Sequence, residues 1–429
     1  MDKTKEKTKA VTGSAITMCV LAILFYYYEY YLRVAPSVMS SELKSTFNLG
    51  EAAFGHLAAF FYYAYTPMQI PVGMMMDRFG PRRLLTFACF LCVLGTALFG
   101  ITGQFWLAAM GRFLLGFGSA FAYVGVLKLS NVWLPKKYFA FMAGLCTTLG
   151  MFGGISCAVL MSHLMLRVGW QSTLYYSAAA GIVLMLILWI VLRDGTSYEK
   201  QHASEMDLTH EVHLKLTGLK QIICSSQMWI TGLIGLLTFL PITGFAEIWA
   251  VSFLKTVGLS KFDAATGASM LFLGFALGAP LWGIISDAMQ SRRIPLIIGS
   301  FLSAGFMALV VFMPTTSLIW MYSLLFLSSF FASVEILIFA VSNDISRHSV
   351  SATAIAFTNM VVMIGGVLLP PLIGKILDGA IQVVDNNPVL TAHDFSIALA
   401  VLPLGLVLSG ILSLLLRESY HKHPKVAKV

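Results

Sequence analysis

Eight ionisable side chains in this sequence lie inside long apolar stretches, where a charged group needs a specific reason to be present. Three are carboxylates, three are basic and two are imidazoles; they are Glu29, Arg33, His56, Arg112, Lys128, His163, Glu247 and Glu335. A charge in apolar surroundings is costly, so it usually pairs with another charge, a solute or a proton. These residues are therefore the first candidates for binding and proton transfer.

Glu29 and Arg33 form the closest of the possible ion pairs. Residues four apart share one face of a helix, so the carboxylate and the guanidinium can meet. Tyr26 and Tyr30 lie on neighbouring turns of the same segment. We expect this face to line a cavity; the alternative is an internal ion pair beside tyrosines at a membrane interface.

Glu247 and Glu335 are carboxylates without a charged neighbour in the local sequence. Glu335 lies in the middle of FFASVEILIF, and Glu247 lies in GFAEIWAV, nearer the end of its apolar run. An isolated buried carboxylate can carry a proton. The alternative is a neutral, hydrogen-bonded side chain that fixes a contact between two helices.

The composition shows what kind of element holds these residues. The chain has 429 residues, of which 58% are hydrophobic and 11% are charged, against about 25% charged residues in an average soluble domain. This composition excludes a soluble enzyme, a disordered chain and a disulfide scaffold, and it indicates a polytopic membrane protein. The formal net charge of +8 comes from scattered basic residues, so no nucleic-acid partner is expected.

Twelve apolar runs are long enough to cross a bilayer, which takes about 20 residues. They cover residues 12–34, 52–76, 84–103, 105–128, 139–164, 170–192, 228–254, 264–286, 294–313, 318–341, 352–376 and 396–416. We divide the chain into an N-terminal tail (1–11), a six-helix bundle (12–192), a polar linker (193–226), a second six-helix bundle (227–416) and a C-terminal tail (417–429).

The distribution of Lys and Arg predicts the orientation. If the N-terminus is cytoplasmic, twenty basic residues lie in cytoplasmic segments and six lie on the other side. Cytoplasmic loops carry the excess of basic residues in membrane proteins. We therefore expect a multi-pass protein of the cell inner membrane with both termini, the linker and the tails in the cytoplasm.

An internal repeat relates the two halves at a constant offset of 210 residues. The segment 48–83 (NLGEAAFGHLAAFFYYAYTPMQIPVGMMMDRFGPRR) aligns without gaps with 258–293 (GLSKFDAATGASMLFLGFALGAPLWGIISDAMQSRR). The matched pairs include Gly73 with Gly283, Asp77 with Asp287, Arg82 with Arg292 and Arg83 with Arg293. Repeated halves are typical of secondary transporters.

The segment GMMMDRFGPRR at 73–83 resembles the signature loop of the major facilitator superfamily, with a degenerate copy in the second half. The resemblance extends over the whole chain. It implies an all-α membrane protein of twelve helices in two six-helix bundles related by pseudo-twofold symmetry. Within the superfamily, FYYYEYYLRVAPSVM of the first run resembles bacterial carriers related to organic-anion permeases and to the lysosomal dipeptide transporter branch.

The resemblance assigns a gating role to the signature loop and its copy. It implies that Asp77 caps the N-terminal end of helix eleven, where the helix dipole favours a carboxylate. The loops would then hold the two halves together when the cytoplasmic side is closed. The residues concerned are Gly73, Asp77, Arg78, Gly80, Arg82, Arg83, Gly283, Asp287, Arg292 and Arg293.

The resemblance also places helices one, four, seven and ten around a central cavity, and six of the eight ionisable residues lie on those helices. Arg112 begins RFLLGFG, which resembles a helix-four motif whose arginine faces the cavity and can hold a carboxylate by a two-pronged contact. Aligning Ser-Asn at 130–131 and 342–343 puts Tyr123 opposite Glu335. Further candidates for the cavity wall are Tyr26, Tyr30, His56, Tyr62, Tyr65, Gln69 and Asn359.

These features predict a secondary active transporter that works by alternating access and is coupled to protons. No nucleotide-binding G-x-x-x-x-G-K-[ST] is present, and we expect no enzyme activity, metal or cofactor. The mixed charges favour a small zwitterion or organic anion, such as an amino acid, a short peptide or a carboxylate. Export of a drug or a carboxylate siderophore is one alternative, and a non-transporting membrane receptor is another. We expect a monomer whose partners are the solute, protons and the lipid bilayer.

Overall fold

A computed structural model describes residues 12–101, 103–135, 138–194, 220–346, 351–384 and 387–420, without the side chains of residues 77, 139, 140, 352 and 382–389. The predicted N-terminal tail, most of the linker and the end of the C-terminal tail therefore lie outside the described residues, as does the side chain of Asp77.

Twelve helical segments follow the twelve apolar runs. They are α1 (Gly13–Val38), α2 (Glu51–Phe79), α3 (Pro81–Phe99), α4 (Phe105–Trp133), α5 (from Phe139 to Val168), α6 (Trp170–Val191), α7 (from Ser226 to Thr256), α8 (Lys261–Met289), α9 (Arg293–Phe312), α10 (from Leu318 to Ile345), α11 (Ser351–Ala380) and α12 (from Ala392 to Leu415). A short helix, Ser40–Phe47, precedes α2, and a two-stranded antiparallel hairpin, β1 (Gln382–Val384) with β2 (Asn387–Val389), follows α11.

Three of these helices change their hydrogen-bonding pattern partway along. The segments Cys157–Met161 of α5 and Pro241–Ala246 of α7 are π-helical, and Ser333–Ile336 of α10 is a 3₁₀ turn. Such local changes inside long helices are often found at functional sites. In α7 and α10 they adjoin Glu247 and contain Glu335, the two carboxylates without a charged neighbour in sequence.

Among the described residues, eleven of the helices are long and apolar enough to cross a membrane. The remaining one, α2, is 29 residues long and carries several polar side chains, because it packs between α4 of its own half and α11 of the other. The outer surface of the molecule is apolar; α6, for example, exposes Ile182, Val183, Leu186 and Ile190. An apolar exterior is expected where lipid is the solvent.

The same pairs of helices pack in both halves, as the repeat predicts. The pairs α2–α4 and α1–α5 of the first half correspond to α8–α10 and α7–α11 of the second, and the halves meet along α2–α11 and α5–α8. We call the side of the bundle that holds both ends of the described chain the terminal face, and the opposite side, which holds the short helix Ser40–Phe47, the distal face.

On the terminal face, an acidic residue that follows the last helix of each half caps the start of the third helix of that half. In the first half the Arg82 N–H donates to Asp194 (2.7 Å). In the second half the Arg292 N–H donates to Glu418 (2.9 Å), which also accepts from the Ser291 hydroxyl. A carboxylate at a helix N-terminus satisfies free N–H groups and interacts favourably with the dipole.

Several predicted boundaries need correction. The first run ends at Val38 rather than at residue 34, and the short helix Ser40–Phe47 occupies a stretch that was expected to be a loop. The expected loop 377–395 is instead the end of α11, the hairpin and the start of α12 at Ala392. Polar residues at helix ends caused these errors, because they lower the apolar content without preventing helix formation.

We expect Glu418→Gln to lower the free energy of unfolding by about 1 kcal/mol, the usual contribution of an N-terminal cap. Burial raises the pKa of Glu418, but the hydrogen bonds from the Arg292 N–H and the Ser291 hydroxyl outweigh it and leave the pKa below its ordinary value. A carboxylate with a lowered pKa stabilises the fold above its unfolded pKa and loses this effect as the pH falls through the folded pKa.

Thermal unfolding in detergent at several pH values measures this contribution. The difference in Tm between the wild type and Glu418→Gln should be largest near neutral pH and should vanish in acid. Arg417→Gln, at an exposed neighbouring position, should leave the Tm unchanged. A difference that does not vary with pH would contradict the capping role.

Candidate functional site

The ion pair predicted between Glu29 and Arg33 is present and lies in the centre of the bundle. Arg33 Nη2 donates to both carboxylate oxygens of Glu29, at 3.2 and 3.3 Å, and the two residues are 2% and 0% exposed. The guanidinium carbon also lies 4.5 to 4.9 Å from the ring centroids of Tyr30, Phe61 and Tyr65. Its Nε is buried and has no hydrogen-bond partner.

The aromatic rings explain how a guanidinium is accommodated here with one carboxylate. Ring faces carry negative electrostatic potential, so three of them supplement the Glu29 carboxylate. The free Nε leaves the guanidinium one donor short of full hydrogen bonding, and a buried unsatisfied donor is costly. Arg33 can therefore accept a further anionic ligand.

Glu247 connects the two halves at the same level. Its carboxylate accepts hydrogen bonds from Tyr30 of α1 at 3.1 Å and from Tyr62 of α2. The π-helical segment Pro241–Ala246 and the turn at residues 247–249 position it, and its exposed fraction is 1%. Two phenols from the first half thus hold a carboxylate of the second half.

Glu335 differs from the other two carboxylates, because none of the described residues donates a hydrogen bond to it or forms an ion pair with it. It lies in the 3₁₀ turn of α10 and is 4% exposed. The carbonyl of Phe330, just before the turn, accepts hydrogen bonds from Trp282 Nε1 of α8 (3.0 Å) and from Ser333 Oγ of the turn itself (2.7 Å). Tyr123, the residue predicted to lie opposite, is within electrostatic range of Glu335.

Arg112, which was expected to face the cavity, binds backbone of its own half and lies within electrostatic range of Tyr62 and Glu247. Its guanidinium donates to the backbone carbonyls of Leu32 (3.3 Å), Arg33 (3.3 Å) and Ala58 (3.4 Å), all in its own half. The polar residues of α4 are few, so the sequence did not reveal that Arg112 would bind carbonyls of α1 and α2. In this conformation it ties the three helices together.

Most of the other candidates surround the same centre, and one lies away from it. Tyr26 packs against Tyr30 and Tyr123 at ring distances of 6.0 and 5.6 Å. Gln69 of α2 accepts a hydrogen bond from Asn359 of α11 at 2.7 Å, another contact between the halves. His56 is exposed near the distal end of α2 and contacts Tyr63 (2.9 Å).

One central residue was missed at the sequence level. The Phe61 ring lies 4.9 Å from the guanidinium carbon of Arg33 and 5.2 Å from that of Arg112, so it separates the two cations. Nothing in the sequence distinguishes a phenylalanine that contacts guanidiniums from the other phenylalanines of apolar helices. Its neighbours Tyr62 and Tyr65 were predicted because they are polar.

The signature loop and its copy bind within their own halves. Arg82 donates to the Trp189 carbonyl at 3.0 and 2.8 Å, and Arg292 pairs with Asp287 at 2.8 Å. Arg78 and Arg83 are exposed. Within the described residues, no hydrogen bond or ion pair of residues 78–83 or 287–293 reaches the other half. The predicted contact of Asp77 with helix eleven lies outside the described side chains.

Among the described residues, the hydrogen bonds that α2 makes with the other half lie in the centre and on the distal side. The bond nearest the terminal face is Gln69–Asn359. Gln69 lies ten residues before the end of α2, which corresponds to about 15 Å at 1.5 Å per residue. The halves are therefore joined on the distal side, and the described residues show no polar contact between them over the last part of α2.

Comparison with known proteins agrees with this architecture. The family model described as Major Facilitator Superfamily matches residues 16–370. The probable galactarate/D-glucarate transporter GudP of Escherichia coli K12 is 24% identical over 401 residues, covering 85% of this chain and 88% of that protein. The lysosomal dipeptide transporter MFSD1 of Bos taurus is 26% identical over 286 residues, 63% of this chain and 60% of that protein.

Two solved structures share the fold at low identity. A bacterial homolog of the human lysosomal transporter Spinster, in an inward-facing and unoccupied conformation, superposes with a TM-score of 0.72 at 16% identity over 95% of this chain and 96% of that one. A D-xylose-proton symporter superposes with a TM-score of 0.70 at 16% identity over 94% and 97%. Relatives and fold are those of transporters rather than enzymes, and this multi-pass membrane protein belongs to the major facilitator superfamily.

Proposed function

We propose that this transporter couples the movement of a small organic acid or zwitterion to that of protons by alternating access. The solute would carry a carboxylate that binds at Arg33, and Glu335 would carry the proton. The observation that carries the proposal is the central charge arrangement. Two of the three buried carboxylates, Glu29 and Glu247, lie within electrostatic range of Arg33, whereas Glu335 has no charged partner among the described residues.

The count of central charges supports the proposed proton coupling. Arg33 is paired with Glu29, and Arg112 is occupied by three backbone carbonyls. Glu247 accepts two phenolic hydrogen bonds, whereas Glu335 has no partner among the described residues. A lone ionised carboxylate in apolar surroundings is strongly disfavoured. Binding a proton removes this cost, so the affinity of Glu335 for protons depends on whether the cavity is open to water.

Arg33 and Arg112 each have a buried Nε without a hydrogen-bond partner, and we assign the substrate carboxylate to Arg33 because of its position. It lies at the interface of the two halves beside Tyr30, whose hydroxyl binds Glu247 of the other half. A guanidinium binds carboxylates by two parallel hydrogen bonds, and its Nε is free to provide one of them. Galactarate, D-glucarate and dipeptides, named for two relatives, all carry a carboxylate.

We further propose that the terminal face is cytoplasmic and that the membrane is the inner membrane, with half boundaries at 12–192 and 227–416. The count of basic residues supports this orientation. The distal face, where hydrogen bonds join the two halves, would then be the outer side. A Spinster homolog of the same fold was crystallised in an inward-facing conformation.

We expect Glu335→Gln to uncouple transport from protons. In proteoliposomes with an inward proton gradient, accumulation should fall by about tenfold, which corresponds to 1.4 kcal/mol. Exchange of labelled for unlabelled solute without a gradient should persist, because the amide preserves shape and binding. Galactarate, D-glucarate, amino acids and dipeptides serve as probes, and Glu335→Asp should retain coupling. Gradient-driven accumulation by Glu335→Gln at the wild-type level would exclude Glu335 as the carrier.

Arg33→Gln should weaken binding of the solute, and it is combined with Glu29→Gln so that no buried carboxylate is left unpaired. The amide cannot provide the charged, two-pronged contact, and we expect an increase in KM of at least about tenfold in exchange assays. Arg33→Lys should recover part of the affinity through its charge. An unchanged KM in Arg33→Gln would place the carboxylate site elsewhere.

Arg112→Lys should lower stability rather than solute binding, the reverse of what we expect for Arg33→Gln. A lysine cannot reach the three backbone carbonyls together. The Leu32 carbonyl, whose helical partner position is occupied by Pro36, would then lack a donor, and a buried carbonyl without a donor costs about 1–3 kcal/mol. We therefore expect a clear drop in Tm with little change in KM. A tenfold rise in KM at constant Tm would instead support the cavity-facing role expected from the sequence.

A further inference from the structure

The distal side is closed by a carboxylate of one half that binds the first turn of a helix of the other half. Asp378, in the last turn of α11, accepts the Glu51 N–H at 2.7 Å and the Ala52 N–H at 2.9 Å. Glu51 and Ala52 are the first two residues of α2, whose N–H groups have no partner within the helix. The positive end of the α2 dipole adds to the attraction.

Two glycines allow α2 and α11 to come close enough for this contact. Gly50, the residue before α2, would place a Cβ atom 3.1 Å from Asp378 Oδ1, so a side chain there would press on the carboxylate. Gly374 of α11 likewise lies against the Glu51 carbonyl, where a Cβ atom would overlap the backbone. The backbones of α2 and α11 therefore come close at the distal end only because these two positions lack side chains.

A second cross-link lies beside it. Lys261, the first residue of α8, pairs with Glu42 of the short helix Ser40–Phe47. Burial raises the pKa of Glu42, but hydrogen bonds from Lys261 and Ser41 outweigh it and lower the pKa overall. Ser252 of α7 also donates to Ser40 at 3.0 Å. The contacts that close the distal side are thus polar, and those at its edge are accessible to solvent.

The positions of Asp378 and Asp77 are reciprocal. The helices α2 and α11 cross the bundle in opposite directions, and each has an aspartate two residues before its last residue, Asp77 before Phe79 and Asp378 before Ala380. Each aspartate lies on the face where the other helix begins. The signature-loop resemblance covers Asp77 alone, and Asp378 lies outside both copies of that loop.

We propose that Asp378 is the gating residue of the distal side and the counterpart of Asp77 on the terminal side. When the distal side is closed, Asp378 holds the first turn of α2; when it opens, this bond breaks and Asp77 can hold the first turn of α11. The same interaction would then stabilise each closed state in turn. The proposal requires alternating access but not a particular solute or coupling ion.

Distances between spin labels across the distal mouth test the proposal without any substrate. Thr46→Cys and Ser317→Cys are exposed positions of opposite halves, introduced in a Cys224→Ser background because Cys224 is the exposed native cysteine. Asp378→Asn should raise the population with an open distal side about threefold, as expected for a surface charge at a helix end. High salt should remove most of this difference by screening.

Two further variants serve as controls for the distance measurement. Asp263→Asn changes a carboxylate on the same face that bonds to Ser260 of its own helix end and should not alter the distances. Gly374→Val should open the distal side at any salt concentration, which shows that the labels report opening. If Gly374→Val opens the mouth while Asp378→Asn matches the wild type at low salt, the gating role is wrong. An equal shift in Asp263→Asn would also overturn it.

Discussion

The cost of an unpaired charge in an apolar environment determines how this bundle is organised. In the centre, Glu29 and Arg33 form an ion pair and Arg112 donates hydrogen bonds to backbone carbonyls. Glu247 accepts hydrogen bonds from two tyrosine hydroxyls. Glu335 has no such partner among the described residues. The carboxylate without a partner and the free Nε of Arg33 are therefore the groups at which a proton and an anionic solute can be accommodated.

The helix interruptions follow from the same constraint. An unbroken helix in lipid leaves no free backbone group and no room to reposition a side chain. The π-helical segment before Glu247 and the 3₁₀ turn around Glu335 place these carboxylates where the backbone is locally irregular and buried in protein. Both interruptions lie in the second half, whereas the guanidiniums lie in the first. The centre thus joins acidic groups of one half to aromatic and basic groups of the other.

Much of this arrangement could be read from the sequence, because its strongest signals are local. The twelve apolar runs, the repeat and the four-residue spacing of Glu29 and Arg33 each depend on residues close together in the chain. The binding of Arg112 to carbonyls of α1 and α2 could not be inferred, since carbonyls are the same at every position. The contacts of Tyr62 with Glu247 and of Asp378 with the start of α2 join residues 185 and more than 300 positions apart. Such contacts depend on how the halves meet, which no local pattern specifies.

The proposed coupling requires that solute and protons move together and that Glu335 is the excess carboxylate on which the proton binds. The most direct measurement records the internal pH of proteoliposomes, at zero membrane potential, while galactarate, D-glucarate, amino acids and dipeptides are added outside in turn. Proton-coupled uptake predicts internal acidification with at least one carboxylate-bearing compound, at the rate at which that compound enters. Entry of the labelled compound with no change in internal pH would contradict it.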